Sequence, residues 1–301
     1  MLNALPRNSP QKWSKIVDSR GNNVIPFVIT GIYDQHELRI IYDAMHRLEQ
    51  NTCIRFRKRS NERDYIDIQN QASEGCYTSV GRLSGRNIVM LEANDIATCI
   101  EPDIVIHELF HTIGLWHEHM RYDRDNYITV HYKNINPMYQ SQFDKVSKFE
   151  AETYGIPYDY TSVMHYAETA FAIKGKISME TKDPAYQKVI GHHRDASVND
   201  YKKICMIYGC SKCIGASFNI DELVMGITPI PITKAPIQPL LPLYKRKHKE
   251  CYDVFPPFCY SLSQNNILDC NFLGNDYCCS SCASQRPIYG SDTIRFSINS
   301  N

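Results

Sequence analysis

The first half of the chain combines short apolar runs with one amphipathic stretch. Residues 24–29 form a continuous apolar run that predicts a strand, and Pro26 favours the edge of a sheet because proline cannot donate a ladder hydrogen bond. Over residues 33–50 the apolar positions recur at helical spacing, and Asp34 is placed to cap that helix. Further apolar stretches predict strands at residues 53–57, 65–68 and 86–91.

The second half of the chain predicts loops with a few helices. One helix should begin at Pro102, because the first turn of a helix does not need the N–H that proline lacks. Another is predicted over residues 199–208 with Ser197 as its cap, and a short one over residues 143–149. This order indicates an α+β domain with a cleft between two parts, which we assign to residues 1–213.

Composition and charge narrow the classes of function. The chain has 33 basic and 33 acidic residues, so its charge balance gives no reason to expect nucleic acid or an anionic membrane as a partner. No apolar run approaches the roughly 20 residues that a membrane span needs. Twelve cysteines favour an oxidising, secreted setting. No apolar region follows residues 1–4, so we expect the secretion signal to be missing from this chain.

One stretch reads His-Glu-x-x-His-x-x-Gly-x-x-His and carries the candidate chemistry. His107 and His111 are four residues apart on the predicted helix, so they share a face and can bind one ion. Gly114 can adopt a positive φ and turn the chain back, which lets His117 reach the same ion. Three neutral imidazoles leave one position for water, as in catalytic zinc sites. Glu108 is then placed to act as the general base.

The pattern continues after residue 117. It continues as Glu-His-x-Arg-x-Asp-Arg-Asp-Asn-Tyr, and Ser-Val-Met-His-Tyr follows at residues 162–166, where a methionine turn would pass beneath the metal. With these segments the chain resembles the astacin family of metzincin endopeptidases from about Trp13 to Cys210, and it is most similar to nematode members. The resemblance implies a two-subdomain zinc protease fold with an active-site cleft and one catalytic zinc ion.

The resemblance also implies roles for residues around the metal. Tyr166 would ligate zinc at rest and swing away to stabilise the oxyanion, which suits a phenol. Met164 would form an apolar floor, whereas His119 and His165 are interpreted as packed or surface histidines. Glu118 would bind the new N-terminus of the mature enzyme. Counting back along the pattern places that terminus near residues 3–4, so a propeptide is expected to be missing as well.

The cysteines of the predicted domain are paired partly by the same resemblance. It implies the disulfides Cys53–Cys210 and Cys76–Cys99. Two cysteines are extra, and we expect Cys205 and Cys213 to pair with each other. At residues 192–193 two histidines stand where relatives often have Gln-Arg, and a surface pair is favoured there over a second metal site.

The C-terminal part of the chain differs in composition. Residues 214–250 contain five prolines and predict a semi-rigid linker. The basic run at residues 245–249 is interpreted as a solvated linker end, with a dibasic processing site as the alternative. Residues 251–283 hold six cysteines and predict a small disulfide-stapled module, which resembles PLAC modules and, less closely, ShK toxin-like domains. Six cysteines allow fifteen pairings, and the tail at residues 284–301 is polar.

Together these features predict a secreted, monomeric zinc endopeptidase that cleaves internal bonds of polypeptides, with extracellular matrix or cuticle proteins as candidate substrates. An extended substrate is expected to pair with residues 86–91 as an edge strand. Two alternatives stay open at this point. The chain could be a binding protein that kept the fold without turnover, or the C-terminal module could act as a toxin-like channel or matrix binder carried by the protease.

Overall fold

The structure is a computed structural model that describes residues 3–147 and 149–218. Its first part is a five-stranded sheet packed against two helices. The strands are β1 (Asn23–Ile29), β2 (Ile54–Lys58), β3 (Tyr65–Gln69), β4 (Cys76–Thr78) and β5 (Arg86–Leu91), and the helices are α1 (Gln35–Asn51) and α2 (Pro102–Ile113). The strand order is β2-β1-β3-β5-β4, and only β4 is antiparallel to its neighbour. The predicted linker, module and tail fall largely or wholly on residues 219–301, which lie outside the described residues.

Helix α1 forms where the periodicity placed it. The Asp34 carboxylate accepts the N–H groups of His36 and Glu37, and the Glu37 carboxylate accepts the N–H of Asp34 at 2.8 Å. This reciprocal cap satisfies donors that the first turn would otherwise leave unpaired. The buried face then consists of Ile41, Ala44, Met45 and Leu48.

The prediction that Pro26 marks an edge strand is wrong, because β1 lies between β2 and β3. Backbone N–H groups of a strand alternate in direction, and Val24 donates away from β2, to Ile16. Pro26 therefore faces the β3 side, where pairing begins only at Phe27 opposite Ile66. The missing N–H falls just before that ladder and removes no hydrogen bond from it.

The prediction that residues 86–91 form the edge strand is also wrong. Strand β5 lies between β3 and β4, and the edge is β4, with Cys76 opposite Leu91 and Thr78 opposite Val89. A strand of three residues is too short to show the alternation by which strands are recognised. The sequence pattern therefore does not reveal that β4 is the edge strand beside the helix with the metal motif.

The second part, after α2, consists mostly of loops and short 3-10 turns. The 3-10 helices span Glu118–Met120, Arg124–Asn126, Tyr132–Asn134, Pro137–Phe143 and Pro184–Tyr186, and the regular elements are β6 (Ile128–Val130), β7 (Met179–Thr181), α3 (Val198–Tyr208), β8 (Lys212–Cys213) and β9 (Ala216–Ser217). The predicted helix over residues 143–149 is wrong. Asn136 caps a turn that starts at Pro137, and the backbone becomes extended at Asp144.

Helix α3 is confirmed, with Ser197 as its cap. The Ser197 hydroxyl accepts the Asp200 N–H, and the Asp200 carboxylate accepts the Ser197 N–H at 2.9 Å. The helix ends at Gly209, whose φ of 69° is the left-handed conformation that glycine adopts at low cost. One core joins the sheet to all three helices, and a smaller one lies in the second part around Ile128, Phe143 and Met179.

A segment near the start of the chain is held against α2. Ala4 pairs with Leu115 and with Glu152, and Leu5 is fully buried. The Trp13 indole N–H donates to the carbonyl of Thr112 at 2.9 Å. These contacts cover the end of α2 with residues 3–13.

Three disulfides lie in the described part of the chain, and each joins cysteines that were expected to pair: Cys53–Cys210, Cys76–Cys99 and Cys205–Cys213. The first spans a sequence separation of 157 residues, so by chain entropy it contributes about 5 kcal/mol at most to stability. Among the described residues, no helix has both the length and the apolar content needed to cross a bilayer.

Candidate active site

Helix α2 carries His107 and His111 and ends at Ile113. The chain must then turn back so that His117 can reach the other two histidines. Gly114 has a φ of 129°, and its N–H donates to the carbonyls of Phe110 and His111. A Cβ at this position would lie 2.5 Å from a methyl carbon of Leu5, so a side chain there is excluded by space as well as by φ. The predicted role of Gly114 in redirecting the chain is confirmed.

The three histidines converge on one point. His117 Nε2 lies 3.2 Å from His107 Nε2 and 3.1 Å from His111 Nε2. Within the described ranges, this trio is the one group of three or more potential metal ligands that lies together. Three ring nitrogens that face one another at this spacing fit a shared cation.

Backbone carbonyls fix which ring nitrogens face the centre. His107 Nδ1 lies 2.8 Å from the carbonyl oxygen of Val163, and His111 Nδ1 lies 2.6 Å from that of Leu115. A carbonyl only accepts, so Nδ1 carries the proton in both rings and Nε2 keeps its lone pair. The carbonyls orient both ligands before any metal binds.

The electrostatic setting keeps these imidazoles neutral. Burial lowers the pKa of His107, lowers that of His111 to about 3 and lowers that of His117 well below its ordinary value. A neutral imidazole is the form that ligates a metal. Three such nitrogens are the donor set of a catalytic zinc site.

Two further groups lie beside the histidines. Glu108 is buried, and burial raises the pKa of its carboxyl to about 8 in the absence of a cation. The Tyr166 ring centroid lies 4.3 Å from that of His117, and its buried hydroxyl has no hydrogen-bond partner among the described residues. Burial also raises the pKa of Tyr166 well above its usual value, so the phenol stays protonated. The site thus combines a proton acceptor with a hydroxyl whose donor capacity is unused.

The turn beneath the histidines is held by Asp200, a residue that the sequence analysis did not assign to the site. Its carboxylate accepts the Ser162 hydroxyl at 2.6 Å and the Val163 N–H at 3.1 Å. Met164 is fully buried, as expected for an apolar floor. Burial raises the pKa of Asp200 to about 6, and the nearby Lys203 ammonium opposes that rise. The cap position of Asp200 in α3 was visible in the sequence, but its contact with the turn is tertiary.

The other histidines of the described residues do not join the metal cluster. His119 is buried and stacks on Tyr166 at a centroid distance of 4.1 Å, and His165 is buried against the hydroxyl of Tyr158 at 2.7 Å. His192 Nε2 lies 3.1 Å from a carboxylate oxygen of Glu168. The packed roles expected for His119 and His165 are confirmed.

Glu118 is enclosed beside the start of the described chain. Its carboxylate accepts the side-chain amide of Asn3 at 2.6 Å, and neither residue has exposed surface. Residues 1–2 lie outside the described part. A link between Glu118 and a free N-terminus therefore stays a prediction, although the segment that would carry it lies in the expected place.

Residues 11–209 match the model of the peptidase family described as Astacin. The chain belongs to the astacin family. It is 50% identical over 284 residues to the zinc metalloproteinase nas-5 of Caenorhabditis elegans, which covers 94% of this chain and 76% of that protein. It is 36% identical to the astacin-like metalloendopeptidase of Mus musculus, covering 74% of this chain and 50% of the mouse protein.

A solved structure agrees with this assignment. High choriolytic enzyme 1, a hatching enzyme zinc-protease from Oryzias latipes, matches with a TM-score of 0.61 and 34% identity, covering 67% of this chain and 96% of that one. The predicted α+β zinc protease fold is thereby confirmed. This astacin is a zinc metalloproteinase, and the three-histidine cluster is where its metal would bind.

Proposed function

We propose that this astacin is a secreted endopeptidase that hydrolyses internal peptide bonds with one zinc ion held by His107, His111 and His117. The observation that carries the proposal is the convergence of three neutral Nε2 atoms beside Glu108 and the unpartnered hydroxyl of Tyr166. Secretion is supported by three disulfides within the catalytic domain, since such bonds persist in oxidising compartments.

Glu108 and Tyr166 have separate roles in the proposed hydrolysis. Zinc, when bound, would supply Lewis acidity that polarises the peptide carbonyl and acidifies a water molecule. Glu108 accepts a proton from the attacking water and later delivers it to the leaving amine. Tyr166 donates a hydrogen bond to the oxygen on which negative charge develops. The unpartnered hydroxyl of Tyr166 supports its proposed role as a donor.

The edge strand β4 is the best candidate for substrate pairing. One side of β4 is bonded to β5, and its other side pairs with no described strand. The Thr78 hydroxyl lies 3.4 Å from that of Thr112 on α2, so β4 runs beside the helix that carries two ligands. A polypeptide added to this edge would be extended and close to the metal cluster. The substrate strand is thus placed on β4 instead of β5.

The test of the proposed function is cleavage of an end-blocked peptide library by the purified full chain. We expect one zinc ion per chain, internal cleavage, loss of cleavage when zinc is removed with 1,10-phenanthroline, and recovery when zinc is returned. His117→Ala should lose both zinc and cleavage, whereas His46→Ala, at an exposed position of α1, should keep both. Internal cleavage that survives complete removal of the metal would contradict the proposal.

The residues up to Phe218 are expected to suffice for catalysis. All residues assigned to the chemistry precede Cys210, but packing continues to Phe218, which is 8% exposed and part of the main core. Truncation after Phe218 should therefore leave kcat/KM on a short peptide within about threefold of the full chain. Cleavage of a matrix-bound protein could fall further if the removed part concentrates the enzyme on that substrate.

Truncation after Cys213 provides the comparison. It removes the burial of Phe218, worth about 2 kcal/mol, and the hydrogen bond from the Ile214 N–H to the Asn51 carbonyl. This shorter chain should unfold at lower urea concentration than the chain ending at Phe218. Loss of short-peptide activity on truncation after Phe218 would show that residues beyond it belong to the catalytic unit.

A further inference from the structure

Lys203 is a fully buried lysine for which the proposed chemistry has no use. It lies within α3, and its side chain has no exposed surface. Buried ammonium groups are stable only when they are paired. The Lys203 Nζ donates to Glu118 Oε2 in a very short contact across 85 residues of sequence. Since Glu118 directly follows the ligand His117, this pair joins α3 to the metal site.

Glu118 has every acceptor position occupied. Its Oε2 accepts from Lys203 and, at 2.6 Å, from the amide of Asn3. Its Oε1 accepts from Arg121 Nη1 at 3.1 Å and from the Asp159 N–H at 3.0 Å. A carboxylate offers about four lone-pair sites, and these four donors occupy them, so a free N-terminus would bind Glu118 only by replacing one of them.

Arg121 does not neutralise Glu118 by itself. Its guanidinium makes two parallel contacts with Asp123, from Nε to Oδ1 and from Nη2 to Oδ2, both at 2.9 Å. This two-point geometry commits its charge mainly to Asp123. Lys203 is therefore the cation that balances Glu118, and without it a fully buried carboxylate would lack a compensating charge.

The backbone of Glu118 connects this pair to the ligands. The Glu118 N–H donates to the carbonyl of Met164 at 2.8 Å. The preceding carbonyl, that of Val163, orients the His107 ring. A shift of Glu118 would therefore move His117, its chain neighbour, and the turn that fixes His107.

We propose that Lys203 is a positioning residue whose ammonium neutralises Glu118 and thereby holds His117 and residues 163–164 where three imidazoles can bind one metal ion. Removing one member of a buried ion pair leaves the other charged and unpaired, whereas removing both takes away that stranded charge. The Lys203 ammonium also acts on the buried carboxyls of Asp159 and Asp200, which lose it in both variants, so the comparison of the two variants isolates Glu118. The proposal therefore predicts that a single substitution weakens metal binding and that a second, on the partner, restores it.

The test measures zinc affinity of the full chain by competition with a chromophoric chelator, and site geometry by the visible spectrum of the cobalt(II) form. Lys203→Met should weaken zinc binding about 10–100-fold and change the cobalt spectrum. Lys203→Arg should bind zinc within about threefold of the parent. The double variant Lys203→Met/Glu118→Gln should bind zinc more tightly than Lys203→Met, because only the single variant leaves Glu118 charged and unpaired. Lys202→Met, at the half-exposed neighbouring position of α3, is the matched control and should match the parent.

Each outcome decides the proposal. Parent-like zinc affinity and cobalt spectrum in Lys203→Met would overturn it, and so would a double variant that binds zinc no better than that single variant. If Lys203→Met does not fold, the double variant decides alone: near-parent affinity supports charge pairing, and failure to fold or bind refutes it. The inference rests on the proposed zinc-peptidase function, but its readouts do not. A parent that shows this pattern yet cleaves no peptide would contradict only the function.

Discussion

Glu108→Ala is expected to keep zinc bound while kcat falls by roughly 10³-fold or more. The three ligands are unchanged, but the carboxylate proposed to take the proton from the attacking water is gone, and general-base catalysis contributes about 10²–10⁴-fold. The fold should not suffer, because burial already raises the pKa of Glu108 to about 8 and removal of this group relieves that penalty.

Metal content and turnover must be measured on the same preparation of this variant. Glu108→Gln keeps the shape of the side chain and should lose as much activity as Glu108→Ala. Glu150→Ala, at an exposed position, is the matched control and should leave both quantities unchanged. Residual activity within tenfold of the parent, with zinc at full occupancy, would remove Glu108 from the role of base.

Tyr166→Phe should lower kcat by about 10²–10³-fold and change KM by less than about threefold. One hydrogen-bond donor to the developing oxyanion is typically worth that much, and it acts on the transition state more than on bound substrate. The ring itself should stay in place, because it stacks on His119 at 4.1 Å and packs against Phe171. The variant therefore removes the hydroxyl with little change in packing.

The control for this variant is Tyr42→Phe on α1, where the side chain is 40% exposed, packs against Phe27 and is not part of the metal site. Its kcat and KM should equal those of the parent. Zinc occupancy of Tyr166→Phe should also be measured, since the family resemblance gives Tyr166 a resting role as ligand. An unchanged kcat at full zinc occupancy would make Tyr166 a packing residue only.

The parts of the molecule that local chemistry specifies could be predicted from the sequence. Helices α1 and α3 have reciprocal caps within four residues, and two metal ligands on α2 follow from the spacing of four on one helix face. Gly114 marks its own turn because few other residues tolerate its φ. In each case the interacting groups are close together in sequence.

The parts that depend on distant partners could not be predicted. Strand β5 is interior because β3 and β4 pair with its two sides, and β4 is left as the edge, but three residues carry no period that would reveal this. Lys203 and Asp200 look like ordinary helix residues until the fold places Glu118 and Ser162 against them. Pro26 correctly indicated a position that donates no ladder hydrogen bond. Its strand β1 nevertheless pairs with β2 on one side and β3 on the other.

The covering of α2 by residues 3–13 has a consequence for biosynthesis. The backbone N–H of Trp13 donates to the hydroxyl of Tyr208, and the same hydroxyl donates to the carbonyl of Ile113, so the two extremes of the domain meet on the ligand helix. Such contacts of high sequence separation form late and slowly. A ribosome exposes all three histidines long before it exposes Tyr208. The nascent chain therefore contains the three metal ligands well before Tyr208 can complete the contacts at the end of α2. Proteolytic activity should arise only after the whole domain has left the ribosome.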